Sequence, residues 1–436
     1  MSLSSPSTRP MLSLTAAFAA WKALLLAVAL GAAGAPDYDT STSLTLDVLY
    51  GSDTSASTSA ITNRLTRWDA IYFVSSARRG YVYEQEWAFA AGLPTAVRGI
   101  GAVLGAAGVE LAGRPWEPLV AVFIAHVSHL VAVLALYQLT LVVSSDRKLA
   151  YIAAVLHVLS PAGLFLSAPY AESPFSCLSF VGNLLFALGL RAGRGSLARN
   201  AAVVGAGAIF GISCTFRSNG LFSGLLFAVE AVRCLLVFFD GPSFAKVLHL
   251  VAPVIGGLLV AAGIVIPQAV AWVRYCGVDS PGAELRPWCS RLIPSIYTFV
   301  QEEYWNVGFL KYWTPNQIPL FLLAGPMLAV LIKSGTDLLR EPSRGMRLLA
   351  PGTDEQYRIL VRTFAASQTI LAVLAITNYH VQIISRVSSG YPVWYWWVAS
   401  CLMDKERQRW GYAITVFIVM YASIQGALFA SFMPPA

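Results

Sequence analysis

The stretch "EPLVAVFIAHVSHLVAVLALYQLTLVVS", Glu117 to Ser144, decides what kind of molecule this is. Past Glu117 it carries no charged side chain, and it exceeds the roughly 20 apolar residues that a helix needs to cross a bilayer. Runs of the same kind recur from end to end. The candidate spans are 12–34, 117–144, 149–168, 171–190, 200–215, 219–239, 247–272, 317–333, 359–378, 389–403 and 411–431. Two of these, 200–215 and 389–403, are short enough to be re-entrant or tilted. The expectation is therefore an all-α polytopic membrane protein, a single domain over 1–436, with about 10 or 11 transmembrane helices. Composition agrees: of 436 residues, 56% are hydrophobic and 12% charged, against about 25% charged in soluble domains. The net charge of +7 does not indicate nucleic acid, because the basic residues gather in short segments between apolar runs.

Those segments set an expected orientation. With the N-terminus cytosolic, the connections holding Arg147 and Lys148, Arg191 to Arg199, Lys333 to Arg358, and Lys405 to Arg409 all fall on the cytosolic side, as the positive-inside rule asks. Arg9 precedes the apolar run Met11–Ala35. That run is too long for the core of a signal peptide and lacks a cleavage site before Pro36, so a retained first span is expected. The opposite face then receives two large loops, 35–116 and 273–316. Within the first, Ser/Thr-rich residues 37–62 are expected to be a mobile loop. No N-x-[ST] sequon occurs in the chain. Cys276 and Cys289 share the second loop, and a disulfide between them is sterically possible if it faces an oxidising lumen.

The polar chemistry concentrates in that face. In "RLTRWDAIYFVSSARRGYVYEQEWAFAAGLP", 64–94, Asp69 stands among aromatics, followed by Glu84, Gln85 and Glu86. Thr66 to Asp69 fits a helix-starting capping box, and an interfacial amphipathic helix accounts for Trp68 and Tyr72. A carboxylate partly withdrawn from water is equally suited to act as a base. Glu86 reads as a solvated charge. In "LSPAGLFLSAPYAESPFSCLSF", 159–180, three prolines interrupt an apolar run around Glu172. Broken helices at membrane depth line cavities or are buried in protein, and an ionisable residue there is a functional candidate, although Glu172 also suits a helix cap. Arg217 in "CTFRSNGLF" and His380 and Arg386 in "NYHVQIISRVSSGYP" supply cations suited to phosphate. Snorkelling or interfacial anchoring explains them as well. Residues 286–326 carry a dense aromatic belt including Trp305 and Trp313, with amides Gln301, Asn306, Asn316 and Gln317 beside it, a combination suited to a carbohydrate or lipid headgroup. No metal-ligand spacing of any strength is present. His126 and His129 are the nearest approach, and helix–helix hydrogen bonding explains them.

Taken in order, "NRLTRWDAIYF…GYVYEQEWAF", "LSPAGLFLSAPYAES", "TFRSNG", "RPWC…IPSIYTFVQEEYWNVGFLKYWTPNQIPLFLLAGP" and "NYHVQIISRVSSGYPVWYW" resemble the GPI mannosyltransferase 2, or PIG-V, family over residues 63–397, with a fungal look to the length. The resemblance implies a GT-C-type glycosyltransferase of the endoplasmic reticulum membrane with a large first lumenal loop. It implies transfer of the second mannose, in α-1,6 linkage, from dolichyl-phosphate mannose to the GPI-anchor precursor, without a metal or other cofactor. A small accessory membrane subunit is a possible partner. A β-linked donor and an α-linked product imply a single inverting displacement. On that basis Asp69 is the expected base and Glu172 the reserve base, with Glu84 and Glu172 positioning the acceptor. Arg217, Arg386 and His380 would hold the donor phosphate. Trp68, Gln85, Trp305, Trp313, Asn316 and Gln317 would shape the glycolipid pocket. The rival from another class is a transporter or flippase of a lipid-linked sugar, which predicts inverted repeats; none is visible.

Overall fold

The computed structural model describes residues 9–34, 37–51, 59–111, 113–193, 195–277, 286–342 and 355–434. Arg194, Arg344 and Arg347 of the basic connections lie outside them. Among the described residues the chain is helical, with α1 Pro10–Gly31, α2 Ser41–Tyr50, α3 Ala60–Leu65, α4 Asp69–Arg79, α5 Gly92–Ala106 and α6 Trp116–Ser144. There follow α7 Arg147–Val158, α8 Glu172–Arg191, α9 Leu197–Phe216, α10 Gly224–Phe239, α11 Phe244–Cys276 and α12 Ile296–Glu303. The last are α13 Ile318–Arg340, α14 Glu355–Thr377, α15 Ile384–Val387, α16 Pro392–Met403 and α17 Gln408–Ala430. Nine of the eleven expected spans are helices long and apolar enough to cross a membrane, 200–215 among them as the 20-residue α9.

The other two, 149–168 and 389–403, become the 12-residue helices α7 and α16. Each is about 18 Å long at 1.5 Å per residue, well short of a hydrocarbon core of about 30 Å. Their apolar character serves the interior. α7 and α16 pack against each other, His157 Nδ1 and the Tyr395 hydroxyl share a hydrogen bond of 2.9 Å, and every residue from Pro392 to Cys401 is buried. A helix buried on all sides is apolar on all sides, so composition alone does not distinguish it from a span.

Prolines act as expected between α7 and α8. The chain leaves the helix at Leu159, makes a 3-10 turn at Gly163–Leu166 and re-enters helix at Glu172, which leaves Pro174 in a first turn where its missing N–H costs nothing. Gly163 is required by geometry: its φ is +51°, and an added Cβ would stand 2.9 Å from the Ala422 carbonyl oxygen. The buried Lys22 of α1 donates from Nζ to Leu166 O and Ser167 Oγ, both at 2.8 Å, and so ties this break to the first span.

The Ser/Thr-rich stretch departs from expectation. Residues 41–50 of it form α2, not a mobile loop. Thr42 donates to Thr66 O at 2.6 Å and Tyr50 to Glu117 Oε2 at 2.6 Å, while residues 52–58 lie outside the described part. Cys276 and Cys289 are disulfide-bonded, with Cα atoms 5.6 Å apart. The bridge closes a small second core of Ala271, Trp288, Ile296, Phe299 and Val300 at the end of α11. His126 bonds its own helix at Val122 O, whereas His129 reaches His157 O in α7. Among the described residues no group of three His, Cys, Asp or Glu side chains could hold a metal ion.

Candidate functional site

Asp69 is the first residue of α4, but no capping box puts it there. Thr66 is the C-cap of α3, and the N-cap of α4 is Trp68, which makes no side-chain cap bond. Trp68 has φ 55° and ψ −128°, a region non-glycine residues rarely occupy. Such strain persists only where the surroundings impose it, and it often marks a functional site. Here it turns the chain so that Asp69, Tyr72 and Phe73 face one cavity. The Asp69 side chain remains 38% exposed.

Opposite stands Arg386 of α15, a single helical turn delivered by the loop after α14. Its Nη2 donates to Asp69 Oδ2 at 3.2 Å and its Nε to Glu172 Oε1 at 2.9 Å. The guanidinium lies over the Phe165 ring at 4.3 Å and the Tyr170 ring at 5.0 Å. Burial works against its charge, but Glu172 and Asp69 outweigh burial and hold its pKa above the usual arginine value. Arg217, the C-cap of α9, donates from Nη1 to the same Glu172 oxygen at 2.8 Å. Two guanidinium groups therefore converge on one buried carboxylate, and both line the cavity.

The cavity measures about 670 Å³, a size suited to a sugar-bearing headgroup. Trp68, Trp305 and His380 line it. His380 packs edge-on against Tyr312 at 4.9 Å. Burial lowers its pKa, with Asp69 only partly opposing. The shift favours the neutral ring, which offers a hydrogen bond and not a charge.

Other expected residues are not brought to the cavity. Glu172 is fully buried behind its wall. Glu84 is buried and turned away, accepting from Trp288 Nε1 at 3.1 Å and paired with Arg286 at 3.4 Å, so it braces the disulfide loop. Glu86 is not a solvated charge. It is buried, paired with Arg79 and bonded by the Val82 and Tyr83 amides, and these contacts overcome the upward pull of burial and lower its pKa. Gln85, Trp313, Asn316 and Gln317 also lie off the lining, and Trp313 is 56% exposed. Conversely, Phe165, Tyr170 and Gln268 line it without having been singled out. Gln268 follows Pro267 inside an apolar span, and that proline–amide pair was the available signal.

The fold and cavity together define a class: a polytopic all-α membrane protein with a carboxylate and two arginines gathered at a headgroup-sized cleft. The match to known sequences makes the class specific. Residues 18–436 match the family model described as Mannosyltransferase (PIG-V), and the chain belongs to that mannosyltransferase family. It is 65% identical over 436 residues to GPI mannosyltransferase 2 of Gibberella zeae, covering 100% of both chains. It is 48% identical to the Chaetomium globosum protein of that name, over 98% of this chain and 97% of the relative. The Aspergillus oryzae protein of that name is 40% identical, over 98% and 96%. Among solved structures, the apo oligosaccharyltransferase of Archaeoglobus fulgidus aligns with a TM-score of 0.45 and 14% identity, over 95% of this chain and 56% of that one.

Proposed function

We propose that the protein transfers the second mannose, in α-1,6 linkage, from dolichyl-phosphate mannose to the GPI-anchor precursor, on the lumenal face of the endoplasmic reticulum membrane. The observation that carries this reading is the half-open Asp69 carboxylate beside Arg386 and Arg217 in one cleft. The names of the close relatives supply the GPI acceptor, and the family supplies mannose as the transferred group.

The reaction is a single displacement with inversion at the anomeric carbon. Asp69 takes the proton of the acceptor 6-hydroxyl as its oxygen bonds to that carbon. The bond from carbon to phosphate oxygen breaks, and dolichyl phosphate departs with the electron pair. Arg386 and Arg217 meet the charge that develops on the phosphate. Trp305, Trp68 and Tyr72 offer ring faces for sugars, and Gln268, Gln301 and Gln382 offer amide hydrogen bonds. His380 donates or accepts as a neutral ring. The reading uses no metal or other cofactor, since the phosphate is already a good leaving group, and it leaves room for a small accessory membrane subunit.

The test is mannose transfer in microsomes lacking the endogenous enzyme and supplied with Asp69→Asn at matched protein level. The expected result is loss of transfer and accumulation of a one-mannose precursor. Near-normal transfer would remove Asp69 as base. Orientation is tested separately, by introducing single cysteines into 35–116 of protein in sealed microsomes. These residues should resist a membrane-impermeant label applied from the cytosolic side.

A further inference from the structure

Glu172 is a carboxylate that the proposed reaction never touches, yet both site arginines turn towards it. One of its oxygens takes Arg386 Nε at 2.9 Å and Arg217 Nη1 at 2.8 Å. The other, Oε2, is buried with no hydrogen-bond partner among the described residues. A buried charge placed for stability alone is normally satisfied at every polar atom. This one is spent on aim. Its place in the first turn of α8 favours the anion through the helix dipole.

Arg386 is consequently held from behind by Glu172 and from one face by Phe165 and Tyr170, with its forward edge between Asp69 and the cavity. During transfer Asp69 gains a proton and loses its charge, while the leaving phosphate gains one. Negative charge thus passes from one neighbour of Arg386 to another. We infer that Glu172 is a positioning residue, which fixes Arg386 so that one guanidinium faces the Asp69 base before transfer and the departing phosphate during it. This rests on the donor assignment above. Without Glu172, the uncompensated charge of Arg386 falls on Asp69, tightens that pair and makes the base weaker.

The experiment uses the purified full-length protein in lipid nanodiscs, with folded material matched by thermal unfolding. Two quantities are read: the pH profile of transfer at saturating donor, and equilibrium binding of dolichyl phosphate. Removing a nearby anion stabilises the charged form of Asp69, so in Glu172→Gln the acid limb of kcat should move down by about half a pH unit or more. There kcat should fall about tenfold or more, while the donor KM changes less than about threefold. Glu172→Asp keeps the charge on a shorter arm: kcat falls, but the acid limb stays at its wild-type position. An unmoved limb in Glu172→Gln, or a raised donor KM with kcat preserved, overturns the inference. Should Glu172→Gln not fold, wild-type kcat in Glu172→Asp overturns it instead.

Binding separates this inference from the donor assignment. Arg386→Gln should weaken dolichyl phosphate about tenfold or more, and Glu172→Gln less than about threefold. Equal weakening by both, or none by Arg386→Gln, overturns the inference whether or not transfer occurs. If the wild-type protein binds dolichyl phosphate in this pattern yet transfers no mannose from dolichyl-phosphate mannose, the donor assignment fails and the positioning role stands.

Discussion

Helix α9 has a buried arginine–glutamate cluster at each end, and one of the two fronts the candidate cavity. In its first turn Arg199 pairs with Glu230 of α10 at 2.5 Å and donates to Gln356 of α14 at 2.9 Å, and Arg233 adds a further contact to Glu230 at 3.2 Å. Both Arg199 and Glu230 are buried. At the far end of this 20-residue helix, about 27 Å from Arg199, Arg217 pairs with Glu172 at 2.8 Å. Pair for pair the chemistry is alike. The difference is that the Arg217 cluster includes a second arginine shared with a carboxylate that water can reach, and that it fronts a cavity. Burial and pairing alone describe both clusters, and access with sharing describes only the second.

The comparison breaks most sharply if the two arginines of α9 behave alike. Arg217→Ala should lower transfer by the folded fraction about two to three orders of magnitude, as loss of a charge-stabilising donor does, while Glu172 keeps Arg386 as its cation. Arg199→Ala should leave Glu230 with only the partly exposed Arg233 as a cation. Uncompensated buried charge costs about 3–5 kcal/mol, read as a lower unfolding temperature, while kcat of the folded fraction stays within about twofold. Equal effects on transfer would show that pairing, not access, marks the site.

A smaller effect is expected from the disulfide. Cys289→Ser should raise the KM for both substrates a few-fold with little change in kcat, because the bridge braces the wall that carries Ser295, Tyr297 and Thr298. Neither Cys276 nor Cys289 should be alkylated without reductant. The smallest effect belongs to Trp313→Ala and Asn316→Ala, below about twofold, since both lie off the cavity. A tenfold loss in either would mean that acceptor binding extends beyond the present lining.

Much of the candidate site's lining was legible residue by residue. Asp69, Arg217 and Arg386 stood out because charge within an apolar chain is costly and needs a reason. Their partnership was not legible. Asp69 and Arg386 are separated by 317 positions, and no local pattern encodes a contact of that range. Glu84 misled for the same reason in reverse. It sits in the same acidic, aromatic stretch as Asp69, but its direction is set by Trp288 and Arg286, about 200 positions away. Thr66 to Asp69 matched a capping box in letters while the backbone at Trp68 took another path.

The sequence by itself determined the class. A chain this apolar, with prolines clustered around Glu172 and cations set beside aromatics, could only be a helical membrane protein with polar business at one face. That follows from local quantities, hydrophobicity and backbone chemistry, which each segment carries alone. The tertiary structure decided which apolar runs form helices long enough to cross and which, like α7 and α16, are short and buried. It also decided which carboxylate faces the cavity, Asp69, and which stands behind the arginines, Glu172. Those outcomes depend on what lies across the bundle, because the energy of a buried charge is set by its neighbours in space and not by its neighbours in the chain.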